Sequence, residues 1–337
     1  MGGIDGVHIF FVLSGFLLSI PFIRWLEGDA VYPPLGKYYI RRVLRVFPAY
    51  YAQLFCLLLA AYFWGNGWPL SLTEFVLHLL MLLQVEPWFV NPLEGVWWTL
   101  PTEFSFYLVL PLFALLCKRI GMVWGVVIAV TLTVLFRYIL YQTVADQGTG
   151  MIIAKTERFP GHLSLFVIGM GTSYLFYRLK KMDYTINQFY LSLILVIGIL
   201  GIYFAANRLS YWAVNGQYFA GHYSYFVWNS ANAVFLACVI FVAAHQYWLC
   251  RWLLANRLCL FLGTISYSIY LWHSPVMRFA KEHLFITGYT DNMQHLFISL
   301  PLVIIVSAIS YQFIEAPAMR WGSKITKPTK LIGKPIR

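Results

Sequence analysis

The sequence predicts an all-α membrane protein, a polytopic transmembrane bundle of about nine helices. Hydrophobic residues make up 60% of the 337 residues and charged residues only 11%, whereas soluble domains carry about 25% charged residues. Apolar runs of the length that crosses a bilayer, about 20 residues, recur along the whole chain. Most basic residues also gather at alternate ends of these runs, as the positive-inside rule requires of a multi-pass protein.

The predicted spans are joined mostly by short segments. In chain order they are 6–24, 48–64, 98–117, 122–141, 161–178, 187–206, 225–244, 258–277 and 294–314. A further apolar run, 75–86, is too short to cross the bilayer easily, so we predict a re-entrant or interfacial helix there.

The basic residues predict the orientation. If 75–86 does not cross, 18 of the 24 basic residues fall on one side, which is then the cytoplasmic side. We predict a membrane domain over residues 1–317 and a basic cytoplasmic tail over 318–337. The net charge of +11 then reflects topology and contact with anionic membrane lipids, and we expect no nucleic-acid partner.

The first span contains the motif Gly-Val-His-Ile-Phe-Phe-Val-Leu-Ser-Gly-Phe-Leu, which begins at Gly6. Ser14 and Gly15 lie in the middle of this span. Small residues allow helices to approach closely, so we favour a packing role for this motif.

Three arginines, Arg41, Arg42 and Arg45, follow on a short helix that we predict to end at Pro48. Their i,i+3 and i,i+4 spacings place the guanidinium groups in one patch. Such groups bind phosphates well, so the patch is a candidate phosphate site. The alternative is an ordinary positive-inside anchor that contacts lipid phosphates.

The stretch Gly95–Pro111, Gly-Val-Trp-Trp-Thr-Leu-Pro-Thr-Glu-Phe-Ser-Phe-Tyr-Leu-Val-Leu-Pro, holds the central motif. Pro101 can start a helix, which would place Glu103 in the first turn, where the dipole favours negative charge. Tyr107 lies four residues on and shares the same face. A carboxylate that enters an apolar span indicates function by default. The alternative is that Glu103 only caps the helix.

Two motifs lie near the C-terminal end. In Ile-Ser-Tyr-Ser-Ile-Tyr-Leu-Trp-His-Ser-Pro, Ser266, Tyr270 and His273 form a polar stripe on a helix that we expect to be distorted or ended by proline. His273 could relay protons or be a hydrogen-bonded structural residue. Glu315 begins Glu-Ala-Pro, which we predict to end the last span. The five cysteines are scattered without metal-ligand spacing, so we predict no metal site.

Taken in this order, the five motifs resemble those of the membrane acyltransferase 3 family, and they extend from residue 6 to residue 317. The resemblance implies about ten spans and transfer of an acyl group, commonly acetyl from acetyl-CoA, to the hydroxyls of a carbohydrate or glycoconjugate. It implies no tightly bound cofactor. It also implies that positions matching Arg42, Arg45, Tyr107 and Glu315 are needed by the family.

These observations together predict an O-acyltransferase of a bacterial inner membrane with a cytoplasmic C-terminus. The predicted catalytic residues are Glu103, Tyr107, His273 and Glu315. The predicted acyl-CoA site consists of Arg41, Arg42 and Arg45. A transporter or flippase of a lipid-linked sugar is the alternative, although it would usually show inverted repeats, which we do not find. A noncatalytic membrane scaffold is a third possibility.

One departure from the family pattern concerns the beginning of the chain. The first span of the family carries an arginine and, eleven residues later, a histidine regarded as catalytic. Nothing before Gly6 can supply this pair. We therefore expect an N-terminally truncated or misassigned start, with ten spans once the missing one is restored.

Overall fold

The structure is a computed structural model that describes residues 2–64, 70–83, 92–216, 223–284 and 292–326. Regular structure in these ranges is helical throughout and includes no strand, which confirms the predicted all-α class. The α-helices in chain order are α1 (Gly2–Leu26), α2 (Leu35–Trp64), α3 (Leu72–Leu79), α4 (Thr99–Ile120), α5 (Met122–Val144), α6 (Thr149–Thr156), α7 (Phe159–Lys181), α8 (Gln188–Val214), α9 (Tyr223–Ala244), α10 (Trp248–Leu254), α11 (Arg257–Thr264), α12 (Ser266–His283), α13 (Asn292–Ser310) and α14 (Ala316–Ile325).

Seven helical stretches in the described part of the chain are long and apolar enough to cross a membrane, so the chain is an integral membrane protein. They are Gly6–Leu26, Leu35–Phe63, Gly95–Ile120, Met122–Gln147, Gln188–Trp212, Ser224–Ala244 and Phe297–Ile325.

Two of the nine predicted spans are absent from this set. The segment 161–178 lies in α7, which is 23 residues long but less apolar. Because α7 packs against α1, α4, α5 and α9, its side chains His162, Ser164 and Ser173 are buried in protein. The segment 258–277 is divided between α11 and α12, and the second of these ends in charged residues.

The helix α3 is too short to cross a bilayer, as predicted for the run 75–86. Its eight residues extend about 12 Å at 1.5 Å per residue, against a hydrocarbon core of about 30 Å. Ser71 caps it by accepting a hydrogen bond from the backbone N–H of Glu74, whose side chain bonds back to Ser71 N. The end of the run, 84–86, lies outside the described residues.

The described residues form two compact units. Unit 1 contains α1 and α4 to α10, and unit 2 contains α2, α3, residues 92–97 and the chain from Phe261 onward. In unit 1, α1 and α7 approach so closely that a Cβ on Gly15 would lie 1.9 Å from Phe166 O, and one on Gly169 would lie 2.0 Å from Val12 O. The packing role predicted for Gly15 is thereby confirmed, because no other side chain fits at this crossing.

In unit 2, α2 packs against α12 and α14. The prediction that the arginine helix ends at Pro48 is wrong, because α2 continues through this proline to Trp64. An internal proline costs a helix about 3 kcal/mol. The side chains just after it, Ala49, Tyr50 and Gln53, are fully buried, and we infer that their packing offsets that cost.

The end of the last span also differs from the prediction. Instead of stopping at Glu315-Ala-Pro317, the helix passes through a π-helical turn, Tyr311–Glu315, and continues as α14 to Ile325. A proline clashes with the carbonyl four residues before it, and the wider π turn is one way to accommodate it. The predicted start of a tail at residue 318 therefore falls inside a helix. Because 327–337 lie outside the described residues, the tail stays a prediction. Proline fails to end α12 as well: Pro275 lies inside this helix, which continues to His283.

Candidate active site

Glu103 and Tyr107 share one face of α4 in unit 1, as their spacing predicts. The Tyr107 hydroxyl donates a hydrogen bond to Glu103 Oε1. The two residues are only 5% and 3% exposed. A carboxylate can accept several hydrogen bonds, so this pair is able to hold and orient a hydroxyl group.

The predicted position of Glu103 in the first turn is wrong. The helix α4 begins at Thr99 and continues directly from a 3₁₀ turn, Gly95–Trp98, so Glu103 is its fifth residue. The helix dipole acts mainly within the first turn. A capping role therefore does not account for this carboxylate.

The three arginines of α2 lie in unit 2, close to α14. Arg41 Nε donates a hydrogen bond to Thr326 Oγ1 at 2.7 Å, and Arg45 Nη1 lies 3.0 Å from Met319 Sδ. The Arg42 guanidinium carbon lies 5.9 Å from the centroid of the Tyr38 ring. Arg41 is exposed, whereas Arg42 and Arg45 are half-buried.

Glu315 lies at the end of the π turn and is fully buried. Ser268 Oγ on α12 donates a hydrogen bond to Glu315 Oε1, and Arg45 interacts with the carboxylate electrostatically. Unit 2 thus brings together Arg45 and Glu315, which belong to motifs far apart in the sequence.

His273 is half-buried on α12, also in unit 2. Its Nδ1 donates to backbone carbonyls, 2.8 Å from Tyr270 O and 3.1 Å from Ile269 O, so the neutral ring presents Nε2 as an acceptor. Ser268, the partner of Glu315, lies five residues earlier, about 7.5 Å along the helix. His273 is therefore not part of the Arg45–Glu315 contact.

Sequence reasoning missed Glu94, a buried carboxylate of unit 2 that is 1% exposed. Arg278 Nη2 lies 2.9 Å from Glu94 Oε2, and Ser274 Oγ donates to Oε1 at 2.6 Å. The Tyr270 hydroxyl donates to the Val96 carbonyl next to it. These contacts attach residues 94–96 to α12. A signal was present in the sequence, because Glu94 is a lone acidic residue directly before the tryptophan motif.

Sequence reasoning also missed a cluster of ionisable side chains in unit 1. Arg137 Nη2 lies 2.8 Å from Glu157 Oε1, and His162 Nε2 lies 3.0 Å from Glu157 Oε2. The His8 and His162 rings have centroids 6.0 Å apart. The amide nitrogen of Asn229 lies 3.3 Å from His162 Nδ1, and that of Asn232 lies 3.1 Å from His8 Nδ1. We refer to these residues as the histidine cluster: His8, Arg137, Glu157, His162, Asn229 and Asn232.

The histidine cluster is almost entirely enclosed. The side chains of Arg137 and His162 are 0% and 1% exposed, and that of Glu157 is 20% exposed. Burial alone would raise the pKa of Glu157, but the Arg137 charge and the His162 imidazole outweigh it and lower this pKa below the usual range. The carboxylate is therefore ionised. An arginine inside the apolar run 122–141 was the available signal, since such residues are rarely incidental in a span.

Within the described ranges, no group of three or more His, Cys, Asp or Glu side chains is arranged to hold a metal ion. The five cysteines are free thiols. The predicted acyl-CoA site at the arginines and the predicted catalytic roles remain predictions.

Comparison with known proteins identifies relatives along nearly the whole chain. The family model described as an acyltransferase domain matches residues 6–312 and confirms the resemblance seen in the motifs. The peptidoglycan O-acetyltransferase OatA of Listeria monocytogenes is 25% identical over 95% of the chain, which covers 52% of that protein. A Staphylococcus aureus (strain COL) protein provisionally named an O-acetyltransferase is 25% identical over 96% of the chain, which covers 54% of that protein. The chain thus spans about half the length of these relatives. No solved structure matches it.

Proposed function

Because the chain belongs to the acyltransferase 3 family, whose model matches residues 6–312, we propose that it is a membrane-embedded O-acetyltransferase. In this proposal it transfers an acetyl group from acetyl-CoA to hydroxyls of a cell-surface carbohydrate. The family match over most of the chain is the observation that carries the reaction class. Two relatives whose names include O-acetyltransferase favour acetyl as the group that is transferred.

Peptidoglycan is the acceptor that we propose to test first, because it is named for the Listeria monocytogenes relative. The chain covers only about half of that protein, so the acceptor is a property to be measured. A glycan acceptor presents several hydroxyl groups, and buried carboxylate, phenol and imidazole groups are suited to bind them.

We assign donor binding to Arg41, Arg42 and Arg45 of unit 2. Guanidinium groups bind phosphates through charge-assisted, often bidentate hydrogen bonds, and CoA carries several phosphates. The half-buried state of Arg42 and Arg45 favours this role, since water screens their charge less than that of a fully exposed side chain. Glu315 orients Arg45 through the electrostatic contact described above.

We assign binding of the glycan to Glu103 and Tyr107 in unit 1. His273 in unit 2 is assigned a separate role, in which its imidazole accepts a hydrogen bond from a substrate hydroxyl. In the proposed setting, a bacterial inner membrane, the basic ends of the spans and the C-terminus face the cytoplasm, where acetyl-CoA is made.

The test is a donor-binding and transfer assay on the purified chain in lipid nanodiscs. We expect the double variant Arg42→Ala/Arg45→Ala to bind acetyl-CoA at least tenfold more weakly, because each charged contact contributes about 1.5–3 kcal/mol. Transfer of radiolabelled acetyl to soluble peptidoglycan fragments should fall in parallel. Arg119→Ala, which removes a basic residue from the last turn of α4, is the matched control and should bind acetyl-CoA normally.

Unchanged acetyl-CoA affinity in a folded double variant would contradict the donor site and leave the arginines as a topology anchor. Absence of any acetyl transfer by the unmodified chain, to peptidoglycan or to other glycans, would contradict the proposed function itself.

A further inference from the structure

The buried face of α13 in unit 2 carries polar atoms that the described part of the chain leaves unpaired. Ser307 is 0% exposed and Ser310 is 5% exposed. Neither hydroxyl has a hydrogen-bond partner among the described residues, and neither has Oε2 of the fully buried Glu315. Burying polar groups without partners is unfavourable, and folded proteins contain few such groups. Their concentration on one helix and the turn that follows it therefore calls for an explanation.

The π turn places these groups on one side of the helix. Ser307 and Ser310 are three residues apart and share a face of α13. Residues five apart do not share a face in an α-helix, but the i→i+5 hydrogen bonding of the turn Tyr311–Glu315 brings Glu315 to the face of Ser310. Isolated π turns occur frequently at functional sites. The turn thus extends a series of polar groups along about two turns of helix.

A further unpaired group lies on α12, which packs against α13. Trp272 Nε1 is buried and has no hydrogen-bond partner among the described residues. Trp272 lies four residues after Ser268, the residue that donates to Glu315 Oε1, so both are on the same face of α12. We refer to these residues as the polar stripe: Trp272, Ser307, Ser310 and Glu315.

The chemistry of the polar stripe fits a chain of amide groups. The indole N–H only donates, the hydroxyls donate or accept, and the carboxylate oxygen accepts. The Glu315 carboxylate would repel an anion, and a cation cannot accept a hydrogen bond from the Trp272 indole. An amide presents an N–H donor and a C=O acceptor, so a chain of amides is able to pair with every member.

One end of the polar stripe lies beside the proposed donor site. The π turn that ends at Glu315 packs against α2, the helix that carries the three arginines. Arg45 interacts electrostatically with the Glu315 carboxylate. A ligand whose phosphates bind the arginines therefore has the polar stripe next to it, within the same unit.

We propose that the polar stripe binds the pantetheine arm of the acyl donor, the part of CoA that joins its phosphates to its thiol through amide groups and carries a hydroxyl. This inference rests on the proposed use of acetyl-CoA. The phosphates bind Arg42 and Arg45, and the arm extends from Glu315 along α13 past Ser310 to Ser307. The Trp272 indole donates a hydrogen bond to a carbonyl of the arm, and Glu315 Oε2 accepts one from an amide N–H.

The experiment compares the affinities of two ligands in lipid nanodiscs: acetyl-CoA, and the adenosine bisphosphate fragment of CoA, which keeps phosphates and lacks the arm. The variant Ser307→Ala/Ser310→Ala should bind acetyl-CoA at least about fivefold more weakly, and Trp272→Phe about twofold to tenfold more weakly, since each loses hydrogen bonds to the arm. Both should bind the fragment normally. Arg42→Ala/Arg45→Ala should instead weaken both ligands. Ser323→Ala on α14 is the matched control, because this exposed hydroxyl bonds locally to Arg320 O at 2.7 Å, and it should bind both ligands normally.

Melting temperatures without ligand separate binding from folding. Because the hydroxyls of Ser307 and Ser310 have no partner among the described residues, their removal should leave the melting temperature unchanged or raise it. Acetyl-CoA should raise the melting temperature of the unmodified chain more than that of the double serine variant.

Normal acetyl-CoA affinity in the folded serine variant and in Trp272→Phe, or equal weakening of acetyl-CoA and the fragment, would overturn the assignment of the arm. The polar stripe would then be a hydrated interior, and the proposed function would stand. If the unmodified chain neither binds acetyl-CoA nor transfers acetyl from it, the proposed function fails and the inference fails with it.

Discussion

At the scale of single residues, Glu103 and Tyr107 form one hydrogen-bonded unit on α4 rather than two independent groups. The carboxylate is buried one turn beyond the start of the helix, where the dipole no longer explains it. A functional reason for keeping an acidic side chain there is therefore stronger than the sequence alone suggested.

We predict that Glu103→Gln and Tyr107→Phe each reduce acetyl transfer by about tenfold or more, with a much smaller change in melting temperature. Tyr107→Phe removes one hydroxyl and almost no packing. Because the two side chains are in contact, the double variant should show a coupling of about 0.5–3 kcal/mol in the transfer rate. Ser105→Ala on the same helix, whose hydroxyl bonds only locally to Pro101 O, should keep normal activity.

Additive effects of the two changes would show that the carboxylate and the phenol act separately. Normal transfer in both single variants would reduce the pair to a structural contact.

Several residues that the sequence could not assign have partners that are distant in sequence. Glu94 meets Arg278, 184 residues away. His8 meets Asn232, 224 residues away. Periodicity within one helix predicted the Glu103–Tyr107 contact, since it is local, but it carries no information about which face of one helix meets another. The two buried clusters therefore required three-dimensional structure.

At the scale of helices, the glycines of α1 and α7 control how unit 1 packs. We predict that Gly15→Ala destabilises the chain by at least about 1–3 kcal/mol, the usual cost of overpacking, because the added Cβ would meet the Phe166 carbonyl oxygen at 1.9 Å. The measurement is thermal unfolding in detergent. Gly263→Ala is the control: nothing lies within 4 Å of its Cβ, and alanine favours the helix.

A melting temperature of the Gly15→Ala variant equal to that of the Gly263→Ala variant would mean that α1 and α7 can separate without loss. The close crossing would then be incidental to stability.

The sequence was sufficient to predict that the helices exist, but it was not sufficient to predict where they end. Long apolar runs identified all seven stretches that are able to span a membrane. The errors occurred at Pro48 and Pro317, which were expected to end a helix; Pro275 was expected to distort or end α12, which continues past it to His283. Proline disfavours a helix locally by about 3 kcal/mol, but burial of the residues around it can outweigh that amount, and only tertiary contacts show whether it does. The two missing spans have different causes: α7 carries buried polar residues, and α12 ends in exposed charged residues.

At the scale of the whole molecule, the uneven distribution of basic residues predicts the topology. Reporter fusions placed after Lys181 and at Arg337 should both report the cytoplasm, and a fusion near Gly216 should report the opposite side. This follows from the excess of Lys and Arg at one set of span ends. The same fusions carried by a Lys180→Glu/Lys181→Glu variant test whether those charges set the orientation.

A cytoplasmic signal at Gly216 in the unmodified chain would overturn this orientation. The run 75–86 would then need to be reconsidered, because a crossing there inverts everything that follows it.

Unit 2 combines chain segments that are far apart in the sequence, and this affects the order in which its helices are synthesised. Its α2 is synthesised early, whereas its partners come from the C-terminal end, and Arg41 and Thr326 are 285 residues apart. At about 5–20 residues per second, a ribosome needs about 15–60 s to produce that interval. During this time α2 lacks α12 and α14, the C-terminal helices that pack against it. Nascent chains of this protein should therefore depend on an insertase or chaperone that shields α2 until the last helices arrive.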